Sequence, residues 1–138
     1  MSNSHGWATG PAAALTFHTL GIRPNGASRF TVAPQPGGLA FCGGKLAFGS
    51  SGQAVDVSWN VSATAMSITV DSTTFAGSIG VVEVPVRGVA TSVVLNGVRV
   101  WALGDNLTAA ARHLAVTDSA VVLSEVRPQQ LVLRVTWQ

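Results

Sequence analysis

The sequence predicts an all-β chain: an antiparallel two-sheet β-sandwich, jelly-roll-like, behind one short N-terminal α-helix. Three observations carry this expectation. Apolar and polar residues alternate at period two, as where Val55, Val57 and Trp59 interleave with Asp56, Ser58 and Asn60. Gly, Pro and Asn-Gly clusters interrupt these runs at the short spacing of sandwich turns. Charged residues make up 10% of the chain and hydrophobic ones 47%, so few charges coat the surface and an apolar patch that meets a partner is expected. The 138 residues suffice for a single domain with its own core. It divides into an N-terminal segment and helix over 1–24 and a sandwich over 25–138.

The helix is read from its punctuation. Pro11 suits a first helical position, Gly21 the left-handed position after the last turn, and Pro24 blocks continuation. Between them Ala13, Phe17 and Leu20 share one face of Pro11–Leu20, while Ala14, Leu15 and His18 share another. Two apolar faces on so short a helix predict burial on both sides. One face is expected on the sandwich and the other on a partner or a second copy, with Leu15, Phe17 and His18 as the candidate partner-contact residues.

From Ser28 short strands follow at Arg29–Ala33, Leu39–Cys42, Lys45–Phe48 and Ala54–Asn60, with Gly43-Gly44 read as a break between two of them. Met66, Ile68 and Val70 repeat the alternation, and this run pairs with Ala54–Asn60 through a turn at Val61–Thr64. Ile79–Val86 is apolar nearly throughout and reads as a central strand closed by Pro85. Asn96-Gly97 favours the positive φ values of a type I′ turn, which predicts a hairpin of Thr91–Leu95 with Val98–Trp101. Gly104–Arg112 is read as a loop in which Asp105 or Thr108 caps one turn over Ala109–Ala111. Ala120–Val126 and Leu131–Trp137 end the chain, joined by a turn at Arg127–Gln130.

Composition also excludes function classes. The net charge of +2 comes from seven Arg and one Lys spread singly. No basic stripe tracks a phosphate backbone, so no nucleic-acid partner is expected. Cys42 is the single cysteine and reads as a buried strand residue, which excludes an intrachain disulfide and a thiolate zinc site. A thiol nucleophile there would need His5, His18 or His113 as its base. Gly38–Lys45 has neither the spacing nor the hydroxyl of a phosphate-binding loop. No metal and no cofactor are expected. No run is long enough to span a membrane, and Met1–His5 has no signal-peptide pattern, so the chain is expected in the cytoplasm, with secretion left open. Asn60 and Asn106 lie in glycosylation sequons that matter only for an exported form.

One long stretch has a family likeness. His5-Gly6-Trp7-Ala8-Thr9-Gly10-Pro11, then Leu15 and Leu20-Gly21-Ile22-Arg23-Pro24, resembles the end of the catalytic domain of bacterial and fungal α-L-rhamnosidases. Phe30–Leu39, Val55-Asp56-Val57-Ser58-Trp59, Asn96-Gly97 and Val100-Trp101 resemble the C-terminal β-sandwich that follows it. The resemblance implies that a large (α/α)6 barrel with the catalytic acid and base would lie upstream. It also implies that His5 and Trp7 match positions near the rhamnose pocket. Inverting hydrolysis needs two carboxyl groups roughly 6.5–9.5 Å apart. The six acids here, Asp56, Asp71, Glu83, Asp105, Asp118 and Glu125, are scattered singly in sequence.

The expectation is therefore a non-catalytic, lectin-like module with a carbohydrate partner, in which His5, Trp7 and Trp101 contact sugar. An indole face packs on a pyranose while an imidazole bonds a hydroxyl. Trp59, Trp101 and Trp137 also suit core positions, and Trp101 is the one beside a hairpin and a loop. Two alternatives stand beside this: the sandwich of a rhamnosidase that only supports a barrel, and a self-associating interaction module that forms a homo-oligomer.

Overall fold

The computed structural model describes residues 10–49, 51–104 and 112–138. In chain order, α1 (Gly10–Ala14) runs into a π-helical turn (Leu15–Leu20). There follow β1 (Ile22–Pro24), β2 (Arg29–Val32), β3 (Phe41–Phe48), β4 (Gln53–Val61), β5 (Ala65–Asp71), β6 (Ile79–Pro85), β7 (Ala90–Leu95), β8 (Val98–Ala102), β9 (Leu114–Val116), β10 (Ala120–Val126) and β11 (Gln130–Trp137). The five-stranded sheet has the order β1-β2-β6-β10-β9 and the six-stranded sheet the order β3-β4-β5-β11-β7-β8. The expected two-sheet β-sandwich is the observed architecture.

Period-two alternation becomes one core because each sheet turns its apolar face inward. Phe30, Val32, Val82 and Val84 from the first sheet meet Val55, Val57, Met66, Ile68, Leu131 and Leu133 from the second, all fully or almost fully buried. Phe75, in the β5–β6 connection, joins the layers at one end. Its ring centroid lies 4.5 Å from that of Phe48 and 6.3 Å from that of Phe30. Trp59 and Trp137 are buried as core residues, and the Trp137 indole N–H donates to the Ala63 carbonyl at 2.9 Å.

The Asn96-Gly97 turn is as the dipeptide dictates. Asn96 has φ 49° and Gly97 φ 81°, and β7 pairs antiparallel with β8 around them. Asn96 also fastens the hairpin to β11, because its side-chain oxygen accepts the Val132 N–H at 2.8 Å. The β4–β5 hairpin through Val61–Thr64 likewise forms as expected.

Several expectations are corrected. Leu39–Cys42 and Lys45–Phe48 are not two strands, since β3 runs unbroken through Gly43-Gly44 in register with β4 from Phe41↔Asn60 to Phe48↔Gln53. The sheets are not purely antiparallel, because β2 and β6 pair parallel, with Phe30 opposite Gly80. The Arg127–Gln130 connection joins β10 to β11 as expected, but it crosses between the sheets. β10 belongs to the five-stranded sheet and β11 to the six-stranded one, and Glu125, at φ 57°, lies where the β10 register shifts, a bulge that bends the strand. Ile22–Pro24, placed in the N-terminal segment by sequence, is already paired with β2.

The helix departs furthest. Only its second half is reached by the π-helical bond from the Gly21 N–H to the Thr16 carbonyl at 3.0 Å. The Thr16 hydroxyl donates back to Ala12 O at 2.9 Å, a bond that competes with regular helix geometry. Gly21 takes the expected left-handed conformation, φ 89°. Within the chain Leu20 is the one buried residue of the turn, while Leu15, Phe17 and His18, the residues expected to meet a partner, are exposed. Leu20 reaches into the side of the sandwich between the edge strands β1 and β3. No helix among the described residues is long and apolar enough to cross a membrane.

Candidate functional site

Opposite the helix, the other open side of the sandwich lies between edge strands β8 and β9. A cleft of about 280 Å3 opens there, walled by Trp101 and Leu103 from the β8 end, Val116, Thr117 and Asp118 from the β9 end, and Gly88–Ala90 before β7. The Asn96-Gly97 turn sets the register of β8. A shift between Val93↔Trp101 and Val94↔Arg99 then makes Val100 an extra residue in the strand. Such a bulge re-aims the side chains that follow it. Val100 is buried and Trp101, next to it, is half-buried in the cleft.

The other walls are held by hydrogen bonds. The Thr117 hydroxyl accepts the Ala120 N–H at 3.0 Å and donates to the Ala120 carbonyl at 2.9 Å, which tightens the β9–β10 turn and leaves Asp118 exposed at its tip. Val89 exchanges two backbone bonds of 3.0 Å with Gln138, so the chain end pins the segment before β7. Val89 and Leu103 stay 54% and 55% exposed on the rim. One indole, four aliphatic side chains and one exposed carboxylate can pack an apolar ring face while accepting hydrogen bonds from its hydroxyls.

Of the sugar contacts expected from sequence, Trp101 sits in this cleft. His5 and Trp7 lie outside the described residues, as does the capped turn expected over Ala109–Ala111. Leu15, Phe17 and His18 lie elsewhere: Leu15 lines a groove of about 270 Å3 with Leu20, Leu39, Cys42 and Gly44, and Phe17 and His18 a shallower one with Arg23 and Pro24.

Folding also gathers residues that are far apart in sequence. Asp118 and Thr117 reach Trp101 only because β8 and β9 are the matching edges of the two sheets, which no local pattern announces. Asp56 and Asp71, read as isolated, are directly opposed on β4 and β5, with Lys45 facing Asp56 from β3 at 3.8 Å. Register alone could have revealed this pair. Asp71 is held below its ordinary 3.8 by hydrogen bonds from the Thr73 hydroxyl and backbone N–H, helped by Lys45. A carboxyl so stabilised in its ionised form is a poor general acid, and the space beside it is about 70 Å3, too little for a sugar ring. Among the described residues no group of three or more His, Cys, Asp or Glu side chains gathers as a metal-ligand set.

The two-sheet architecture has a solved counterpart. An α-L-rhamnosidase from Dictyoglumus thermophilum superposes with a TM-score of 0.68 over 90% of this chain, at 16% identity. The fold is shared with part of that enzyme. This chain spans 13% of the enzyme's length, so the common part is one piece of a much longer protein. No family model matches the sequence, and no curated protein matches it.

Proposed function

We propose that this chain is a non-catalytic carbohydrate-binding β-sandwich, equivalent to the C-terminal domain of an α-L-rhamnosidase, and that it takes one saccharide ring in the Trp101 cleft. The observation that carries the reading is the half-buried indole of Trp101 beside the exposed Asp118 carboxylate on the open β8–β9 side. The fold shared with a rhamnosidase supports a sugar ligand over other small molecules. The role is binding because the opposed carboxylates, Asp56 and Asp71, face a space too small for substrate. A glycan array that includes rhamnosides tests it. Retention of at least one glycoside class supports the reading, and silence across the array overturns it.

A second reading rests on the helix. Leu15 is 56% exposed and lines a groove with Leu39, 48% exposed, while Phe17, in the same helical turn, is 36% exposed. Apolar side chains gathered in this way suit a contact with another body, here a second copy of the chain across a symmetric interface. Light scattering tests this: a dimer or larger species that dissociates in Leu15→Asp supports it, and a monomer at all concentrations overturns it. In a longer protein the same face would rest on the domain that precedes it.

A further inference from the structure

A second cleft lies at the β1 end of the five-stranded sheet, shares no residue with the Trp101 cleft, and is lined by Arg23, Ala33, Pro34, Gln35, Glu83 and Pro85. Its volume is about 240 Å3, below the roughly 300–1,000 Å3 that hold drug-sized ligands, and so suited to a single ring. Strand alternation creates it. Val82 and Val84 turn into the core, so Glu83 between them projects from the outer face, and Arg23 follows buried Ile22 onto that face.

The wall formed by residues 33–37 is fastened at three points. Ala33 N–H donates to Gly21 O at 2.9 Å and Gln35 N–H to His18 O at 3.0 Å, while the Arg87 guanidinium donates to Gly37 O at 3.1 Å. Arg23 is oriented by its own bond from Nε to the Phe17 carbonyl at 3.0 Å. Among the described residues no ion pair neutralises Arg23 or Glu83. One guanidinium, one carboxylate and one amide thus stand around a cavity whose apolar walls are two proline rings and an alanine, held in place before any ligand arrives.

We propose that this cleft is a second saccharide subsite, selective for a neutral pyranose that offers adjacent hydroxyls. The carboxylate accepts from the hydroxyls, the guanidinium donates to their oxygens, and the proline rings pack on the ring's C–H face. With one cation and one anion the cleft has no net charge, so a uronate gains from Arg23 what it loses to Glu83 and still gives up the hydration of its carboxylate, which favours a neutral ligand.

The test is a backbone NMR titration of the full chain with methyl α-D-mannopyranoside and, separately, with glucuronate, at up to about 100 mM. Saturable shifts at Arg23, Gln35 and Glu83 with the mannoside are expected, with glucuronate at least about tenfold weaker. Glu83→Gln, on an exposed position that leaves folding intact, should weaken the mannoside by about tenfold, and Trp101→Ala should leave this site unchanged. Shifts confined to the Trp101 cleft would overturn the second subsite while sparing the first. An unaltered affinity in both Glu83→Gln and Arg23→Lys would overturn it as well.

Discussion

The Leu20 side chain lies against Gly44 so closely that a Cβ at position 44 would come within 2.9 Å of Leu20 Cδ2. This contact explains why a glycine occurs at position 44 inside an edge strand. It is also where the helical turn is locked to the sandwich. Leu20→Ala should cost about 2–5 kcal/mol by leaving a cavity, and Gly44→Ala about 1–3 kcal/mol by overpacking. Because the two changes share one contact, the double variant should be less destabilised than the sum, by about 0.5–3 kcal/mol. Urea unfolding of the three variants measures this, and strict additivity would show that the contact does not couple them.

Phe30 and Gly80 make a similar contact in the parallel β2–β6 pair, but with a rigid partner. A Cβ on Gly80 would meet the Phe30 ring at 2.4 Å, and Phe30 is buried against Phe75. A ring locked in the core cannot swing aside as a leucine methyl can. Gly80→Ala should therefore destabilise more than Gly44→Ala, toward or beyond the upper end of the about 1–3 kcal/mol expected for overpacking. Thermal melts of the two single variants decide the order.

Asp71 gives the chain a small acid sensitivity. Its folded carboxyl titrates below the ordinary 3.8, chiefly through the Thr73 hydroxyl and backbone N–H. A depressed folded value means that the carboxylate contributes stability above the unfolded value and loses it as pH falls through the folded one. Asp71→Asn should thus unfold more readily than the parent at neutral pH, with the difference closing below about pH 3.8. The gap should be small, since Asp71 is only half-buried and its carboxylate is screened by solvent. Chemical denaturation at neutral and strongly acidic pH measures it, and a gap that widened on acidification would contradict the assigned hydrogen bonds.

The features legible in the sequence were those set by local chemistry. Alternation in β4 and β5, the positive φ at Asn96 and Gly97, and Gly21 after the helix each follow from residues within a few positions. What escaped depends on contacts distant in sequence. Gly43-Gly44 reads locally as a turn, and only Leu20, more than twenty residues earlier, makes it a strand with room for a neighbour. Leu131–Trp137 follows Ala120–Val126 after a short turn, yet its two edges pair with β5 and β7 in the other sheet. The candidate cleft was half legible. An indole next to a hairpin marked Trp101, but Thr117 and Asp118 join it only through the sheet order.

The central claim is that the Trp101 cleft binds a saccharide ring. Isothermal titration of the full chain with a rhamnoside or another glycoside retained on the array, repeated with Trp101→Ala and Asp118→Asn, tests it most directly. Trp101 is half-buried at an edge strand, so both variants should remain folded by circular dichroism. We expect Trp101→Ala to weaken binding by about a hundredfold, or beyond detection, and Asp118→Asn to weaken it by about tenfold. Equal affinity in the parent and in folded Trp101→Ala would contradict the account.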